Sequence, residues 1–142
     1  MGKLIPVLTA LLALNACQGR AGSAGQTDAA ITDKSWVLRE LEGGPLDSLA
    51  AANPPTLVLS SSNSQISGNA GCNRMAGPYT LGNGTIEFGP LAMTRMACPA
   101  MAVETRFTTA LAAVKSYRIE TNQLLLLADG RVVARFDPAP AN

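Results

Sequence analysis

Cys72 and Cys98, with the polar side chains beside them, are the residues whose types and spacing could do chemistry in this chain. They stand in Ser67-Gly68-Asn69-Ala70-Gly71-Cys72-Asn73-Arg74 and Thr94-Arg95-Met96-Ala97-Cys98-Pro99. Gly68, Gly71 and Gly77 crowd the first cysteine. Glycine reaches positive φ without steric cost, so a tightly turned backbone is expected there. A cysteine fixed in such a turn is well placed to bond a second one just ahead of a helix. One reading is a disulfide made in an oxidising compartment. The other is a redox-active or nucleophilic thiol, but the chain offers no Cys-x-x-Cys pair and no histidine to activate the thiolate. The missing histidine also removes Ser-His-Asp chemistry and the commonest zinc ligand. No catalytic residue, metal or cofactor is assigned, and the expectation is a protein that is not an enzyme.

Asn69, Asn73, Arg74, Thr94 and Arg95 form a candidate polar spot with two readings. They bind something, or the asparagines satisfy turn N–H and C=O groups while the arginines pair with Glu87 or Glu104, or hold an anion. Glu87 and Glu104 are the only carboxylates available for an acid/base pair nearby, and nothing in their spacing brings them together. Met93, Met96 and Met101 make either an adaptable contact surface or, beside an amphipathic helix, part of the core, which is the expectation here.

The elements that must position these groups are short. Ser35 to Leu41 carries Trp36, Leu38 and Leu41 and reads as a strand ending at Gly43-Gly44-Pro45. Further strands are expected at Thr56 to Leu59, Gln65 to Ser67, Pro78 to Leu81 and Thr85 to Phe88, the last two joined through Gly82-Asn83-Gly84. Pro99 suits a helix start, and Met101, Val103, Phe107, Ala110, Leu111 and Val114 recur at helical spacing, giving one helix of about fourteen residues. Lys115 to Thr121, Leu124 to Leu127 and Val132 to Phe136 complete the strands, with a two-residue hairpin loop at Asp129-Gly130. Leu124 to Leu127 is an uninterrupted run, expected to be covered on both faces, with the helix on one side. About eight short strands and one helix make an α+β fold, a small antiparallel curled sheet or incomplete barrel.

Ahead of this lies a short positive start, Met1-Gly2-Lys3, and the apolar run Leu4 to Leu14. The run is too short for a bilayer, which needs roughly 20 residues, but it fits a secretory segment. Its end, Leu14-Asn15-Ala16-Cys17, resembles a lipobox, so residues 1–16 are expected to be a lipoprotein signal peptide and Cys17 the lipidated (diacylglyceryl, palmitate) residue. Acyl chains in combination would anchor stably, and Gln18 leans toward the outer membrane, facing the periplasm. Residues 17–33 read as a flexible tether and 139–142 as a tail, leaving 34–138 as the domain. Residues 17–142 carry ten charges of each sign, with no basic run, which excludes an electrostatic case for nucleic acid.

The pattern resembles the META domain, the family that includes the heat-shock protein HslJ and many envelope lipoproteins. The likeness rests on Trp36-Val37-Leu38 with Leu41-Glu42-Gly43, then Ser67 to Arg74 and Gly77-Pro78-Tyr79. Thr94-Arg95-Met96-Ala97-Cys98, Met101 with Glu104, and Leu124 with Phe136 complete it over residues 35–137. The resemblance implies a small α+β domain without established enzymatic activity, linked to envelope stress and, in HslJ, to novobiocin resistance. It supplies no catalytic residue. The partners expected are the membrane, through the lipid, and an unidentified envelope protein or small ligand. An alternative is a carrier whose curled sheet holds a small apolar molecule such as lipid.

Overall fold

The computed structural model describes residues 27–140 and Gly2. The apolar leader, Cys17 and most of the expected tether lie outside the described residues, as do the last two residues of the tail.

Among the described residues, ten strands and two α-helices follow one another: β1 (Ser35–Leu41), β2 (Gly44–Pro45), α1 (Ser48–Ala52), β3 (Thr56–Ser60), β4 (Gln65–Asn69), β5 (Arg74–Gly82), β6 (Thr85–Phe88), β7 (Ala92–Met93), α2 (Met101–Ala113), β8 (Ser116–Glu120), β9 (Gln123–Ala128) and β10 (Arg131–Pro138). All pairings are antiparallel, in the order β10-β9-β8-β6-β5-β4-β3-β1-β2, and β10 also pairs with β1. Eight of the strands therefore curl until the sheet's ends meet. The β6–β8 step is a single pair, Thr85 with Ser116, so the wall is thin there, and α2 packs against β6 and β10. The result is α+β, a curled sheet with one main helix.

The turns explain the register. Thr121-Asn122 and Asp129-Gly130 hold positive φ at both positions and link β8 to β9 and β9 to β10 as two-residue loops. Such loops match the twist of the strands they join. The concave interior is filled by side chains rather than left as a lumen. Trp36, Leu38, Leu57, Ile66, Phe107, Leu111 and Phe136 are at most 1 % exposed, and the Phe107 and Phe136 rings pack at 6.1 Å between centroids. Leu124 and Leu126 join this core with the helix residues. Leu125, on the opposite face, stands in register between Arg118 and Arg135, and all four leucines of the run are buried.

Several sequence expectations need adjustment. The packed chain begins before Lys34: a 3-10 turn at Asp28–Ala30 leads to Ile31, which is fully buried and accepts a hydrogen bond from the Trp36 indole at 2.9 Å. One lone aliphatic in a polar stretch gave no periodicity to read. At the other end, Ala139 donates its N–H to Ser35, so the strand pairing reaches into the expected tail. The segment before Pro54 contains α1, capped by the Asp47 carboxylate accepting from the Ala50 N–H. The three glycines serve different ends. Only Gly71 holds positive φ, at 121°. Gly68 and Gly77 are strand residues where a Cβ would strike the Thr56 carbonyl and the Pro90 carbonyl respectively, so they permit close backbone approach instead of a turn.

Candidate functional site

The corner after β4 and the N-terminal half of α2 are joined by a buried polar cluster centred on Glu104. Its carboxylate accepts the Cys72 N–H at 3.1 Å and the Asn73 N–H at 2.6 Å on one oxygen, and the Asn73 side-chain amide at 2.7 Å on the other. The corner exposes these donors because Gly71 turns the chain, and Asn69 steadies the turn by accepting the Gly71 N–H at 2.6 Å. Glu104 reaches them from the first turn of α2, where a negative charge also meets the positive end of the helix dipole. Glu104 and Asn73 are only 5 % and 2 % exposed. A buried carboxylate is tolerated when hydrogen bonds replace its lost water, and here they do.

Asn73 passes the network onward. Its side-chain oxygen accepts from the Met96 N–H at 2.7 Å and the Thr94 hydroxyl at 2.9 Å, while its amide also donates to the Met96 carbonyl at 3.1 Å. The Thr94 hydroxyl in turn accepts the Arg74 N–H at 3.0 Å. One asparagine thus ties together the corner, the 94–96 segment and the helix. Cys72 and Cys98 are disulfide-bonded beside it, across a sequence separation of 26. Closing a loop of that length stabilises by roughly 3 kcal/mol on the chain-entropy account.

Of the five polar residues singled out from sequence, Asn69, Asn73 and Thr94 spend their side chains inside this network. Arg74 and Arg95 do not. Both are exposed, and neither forms an ion pair among the described residues. Glu87 pairs with Lys115 at 3.1 Å, and Glu104 is occupied as described, so neither expected carboxylate partner serves the arginines. The role of Glu104 was hidden from sequence because the contact spans 31 residues. Its one signal was a charge placed near buried helix positions.

Met93 packs half-buried against the core as expected, but the other two methionines depart from expectation. Met96 and Met101 are 61 % and 40 % exposed, not core, and Leu49 on α1 is 58 % exposed. Met101 is the first residue of α2, ahead of the buried positions Val103, Glu104, Phe107, Ala110 and Leu111. An open groove of about 550 Å³ is lined by Met93, Arg95, Met96 and Met101, with Glu104 at its floor. It adjoins a groove of about 530 Å³ bordered by Arg74 and Met93. A smaller one, of about 280 Å³, lies over the disulfide beside Leu49 and Met96.

The META domain family matches residues 29–140. The chain belongs to the META-domain family. This META domain is similar to a protein from Burkholderia xenovorans solved by NMR, with 30% identity, covering 96% of this chain and 100% of that one, at a TM-score of 0.66. A second NMR structure is 28% identical, covers 77% of this chain and 92% of that one, and has a TM-score of 0.60. A DUF4847-family protein from Bacteroides vulgatus, 13% identical with a TM-score of 0.52 and covering 75% of this chain and 91% of that one, shares the fold. Among curated proteins none matches. The Gly-Cys-Asn-Arg corner and the Thr-Arg-Met-Ala-Cys segment of this META domain are the two strands of chain that Asn73 and the disulfide fasten together.

Proposed function

We propose that this META domain is an exported, lipid-anchored envelope protein that works by binding another envelope component, and so contributes to tolerance of stress or drugs. The observation that carries the binding reading is the gathering of exposed Leu49, Met96 and Met101 beside Arg74 and Arg95, which form no ion pair among the described residues. Large apolar side chains exposed in one place, rimmed by polar groups, mark interaction surfaces. The disulfide supports export, since such bonds persist in oxidising compartments. Anchoring through Cys17 to the outer membrane, on its periplasmic side, rests on the lipobox-like Leu14-Asn15-Ala16-Cys17 and on Gln18. Both oxygens of the Glu104 carboxylate accept N–H donors from Cys72 and Asn73, which favours scaffold over chemistry. The carrier alternative draws less support: the curled sheet is packed with side chains, so a lipid tail would have only the open surface grooves.

Deletion of the gene should sensitise cells to heat or to antibiotics such as novobiocin. The intact chain should restore tolerance, and a Cys17→Ser variant should restore it poorly. A knockout indistinguishable from its parent across such a panel would end the envelope reading. Full rescue by C17S would remove the anchor from it.

A further inference from the structure

We propose that the face carrying Leu49, Met93, Met96 and Met101 with Arg74 and Arg95 takes an extended, acidic and apolar-bearing segment of a partner protein, laid along β7. The inference deepens the binding reading above and rests on it.

Three observations select this occupant. The first is charge. Arg39, Arg106, Arg118 and Arg135 each hold a carboxylate within 3.1 Å, whereas Arg74 and Arg95, like Arg131 and Lys34 elsewhere, hold none among the described residues; what sets Arg74 and Arg95 apart is that they border adjoining grooves. Among the described residues, the only carboxylate lining the adjoining grooves is Glu104, whose oxygens already accept from Cys72 and Asn73. Two cations without a counter-charge attract an anionic partner. They also argue against a symmetric second copy, which would set like charges face to face.

The second is the sheet. β7 pairs with β5 through Met75–Met93 and Ala76–Ala92, lies off the main strand path, and has no strand on its other side among the described residues. Its Met93 and the following Thr94 border both larger grooves. A free strand edge between side-chain grooves is the arrangement that receives an added extended peptide, with backbone bonds giving affinity and alternate side chains entering the grooves. Methionine, unbranched and polarizable, moulds to varied apolar partners.

The third is position. Thr56 pairs with Asn69 and Ser60 with Gln65, while Asp33 bonds Ser61. The corner thus lies at the opposite end of β3 from the point where the chain enters the domain, roughly 13 Å along the strand. A face at the far end of β3 from Asp33 suits a protein partner better than the membrane to which the residues ahead of Asp33 are proposed to lead.

The test uses the full chain in phosphatidylcholine nanodiscs and three fluorescent peptides sharing the same alternating Leu and Val positions. The intervening residues are Glu, Ser or Lys, and anisotropy reads binding. The Glu peptide should bind most tightly, and the Lys peptide at least about tenfold more weakly. An R74E/R95E variant should reverse that order while keeping its thermal midpoint, because both side chains are exposed and hold no ion pair among the described residues. Equal binding of all three peptides, or no change on charge reversal, overturns the proposal. So does attachment of the chain to phosphatidylglycerol vesicles without peptide preference, which would make this a membrane face. If no peptide binds yet R74E/R95E fails to rescue the deletion strain, the acidic segment is refuted while the binding reading stands.

Discussion

Glu104 shows how much one side chain can organise when both of its oxygens face donors. Either orientation of a glutamine at this position would turn its NH₂ toward an N–H of Cys72 or Asn73, donor against donor. E104Q should therefore destabilise the domain by roughly 2 to 3 kcal/mol, the cost of leaving buried groups unpaired, despite near-identical shape. Urea unfolding measures this directly. A midpoint equal to wild type would mean that the cluster contributes nothing. The surface ion pairs predict the opposite pattern: Arg39–Asp137, Arg106–Glu42 and Arg118–Glu120 are about half exposed on most sides, and pairs of that kind contribute little each.

At the scale of elements, the turn at Asp28–Ala30 is fastened by a long-range bond. The Tyr117 hydroxyl, on β8, donates to Asp28 at 2.7 Å. Burial, then the bond to the Asp28 carboxylate and its charge, push the Tyr117 phenol up from 10 to about 12. A raised folded value means that the fold favours the neutral phenol. Its stabilisation is complete below about pH 10 and is lost as pH rises to about 12. Tyr79, raised by burial in the same direction, adds to the loss. Unfolding free energies measured from pH 9 to 12 should fall more steeply in wild type than in Y117F, and parallel curves would refute the fastening.

This bond also marks where sequence reading stops. β1, β6 and the hairpins at Gly82-Asn83-Gly84 and Asp129-Gly130 were legible because alternation, Asn, Asp and Gly act within a few residues. The helix was legible through its period, from Val103 to Leu111. The N-terminal turn was not, since Ile31 owes its burial to Trp36 and Tyr117 owes its bond to Asp28, 89 residues away. The same limit applied to the candidate site. Cys72, Asn73, Thr94 and Cys98 could be picked out by type and local spacing, whereas Glu104 needed the fold to bring it to them. Met93, Met96 and Met101 carry the same local signal beside an amphipathic helix, yet only Met93 packs toward the core, because exposure is set by which face of a segment meets the sheet.

For the whole molecule, the 67–101 region acts as a fastening: a covalent link and a buried polar cluster hold the corner, the 94–98 segment and α2 in one arrangement, with a contact face outside it. Such a small domain has a total stability of roughly 5 to 10 kcal/mol, so a link contributing roughly 3 kcal/mol is a large part of it. The proposed export to an oxidising compartment and the scaffold role of Cys72 and Cys98 stand together. Counting titratable thiols in the chain isolated from the cell envelope, folded and then denatured without reductant, tests both together. The account predicts no free thiol at Cys72 or Cys98 in either condition. Two reactive thiols at these positions would contradict it, and would return the pair to chemistry.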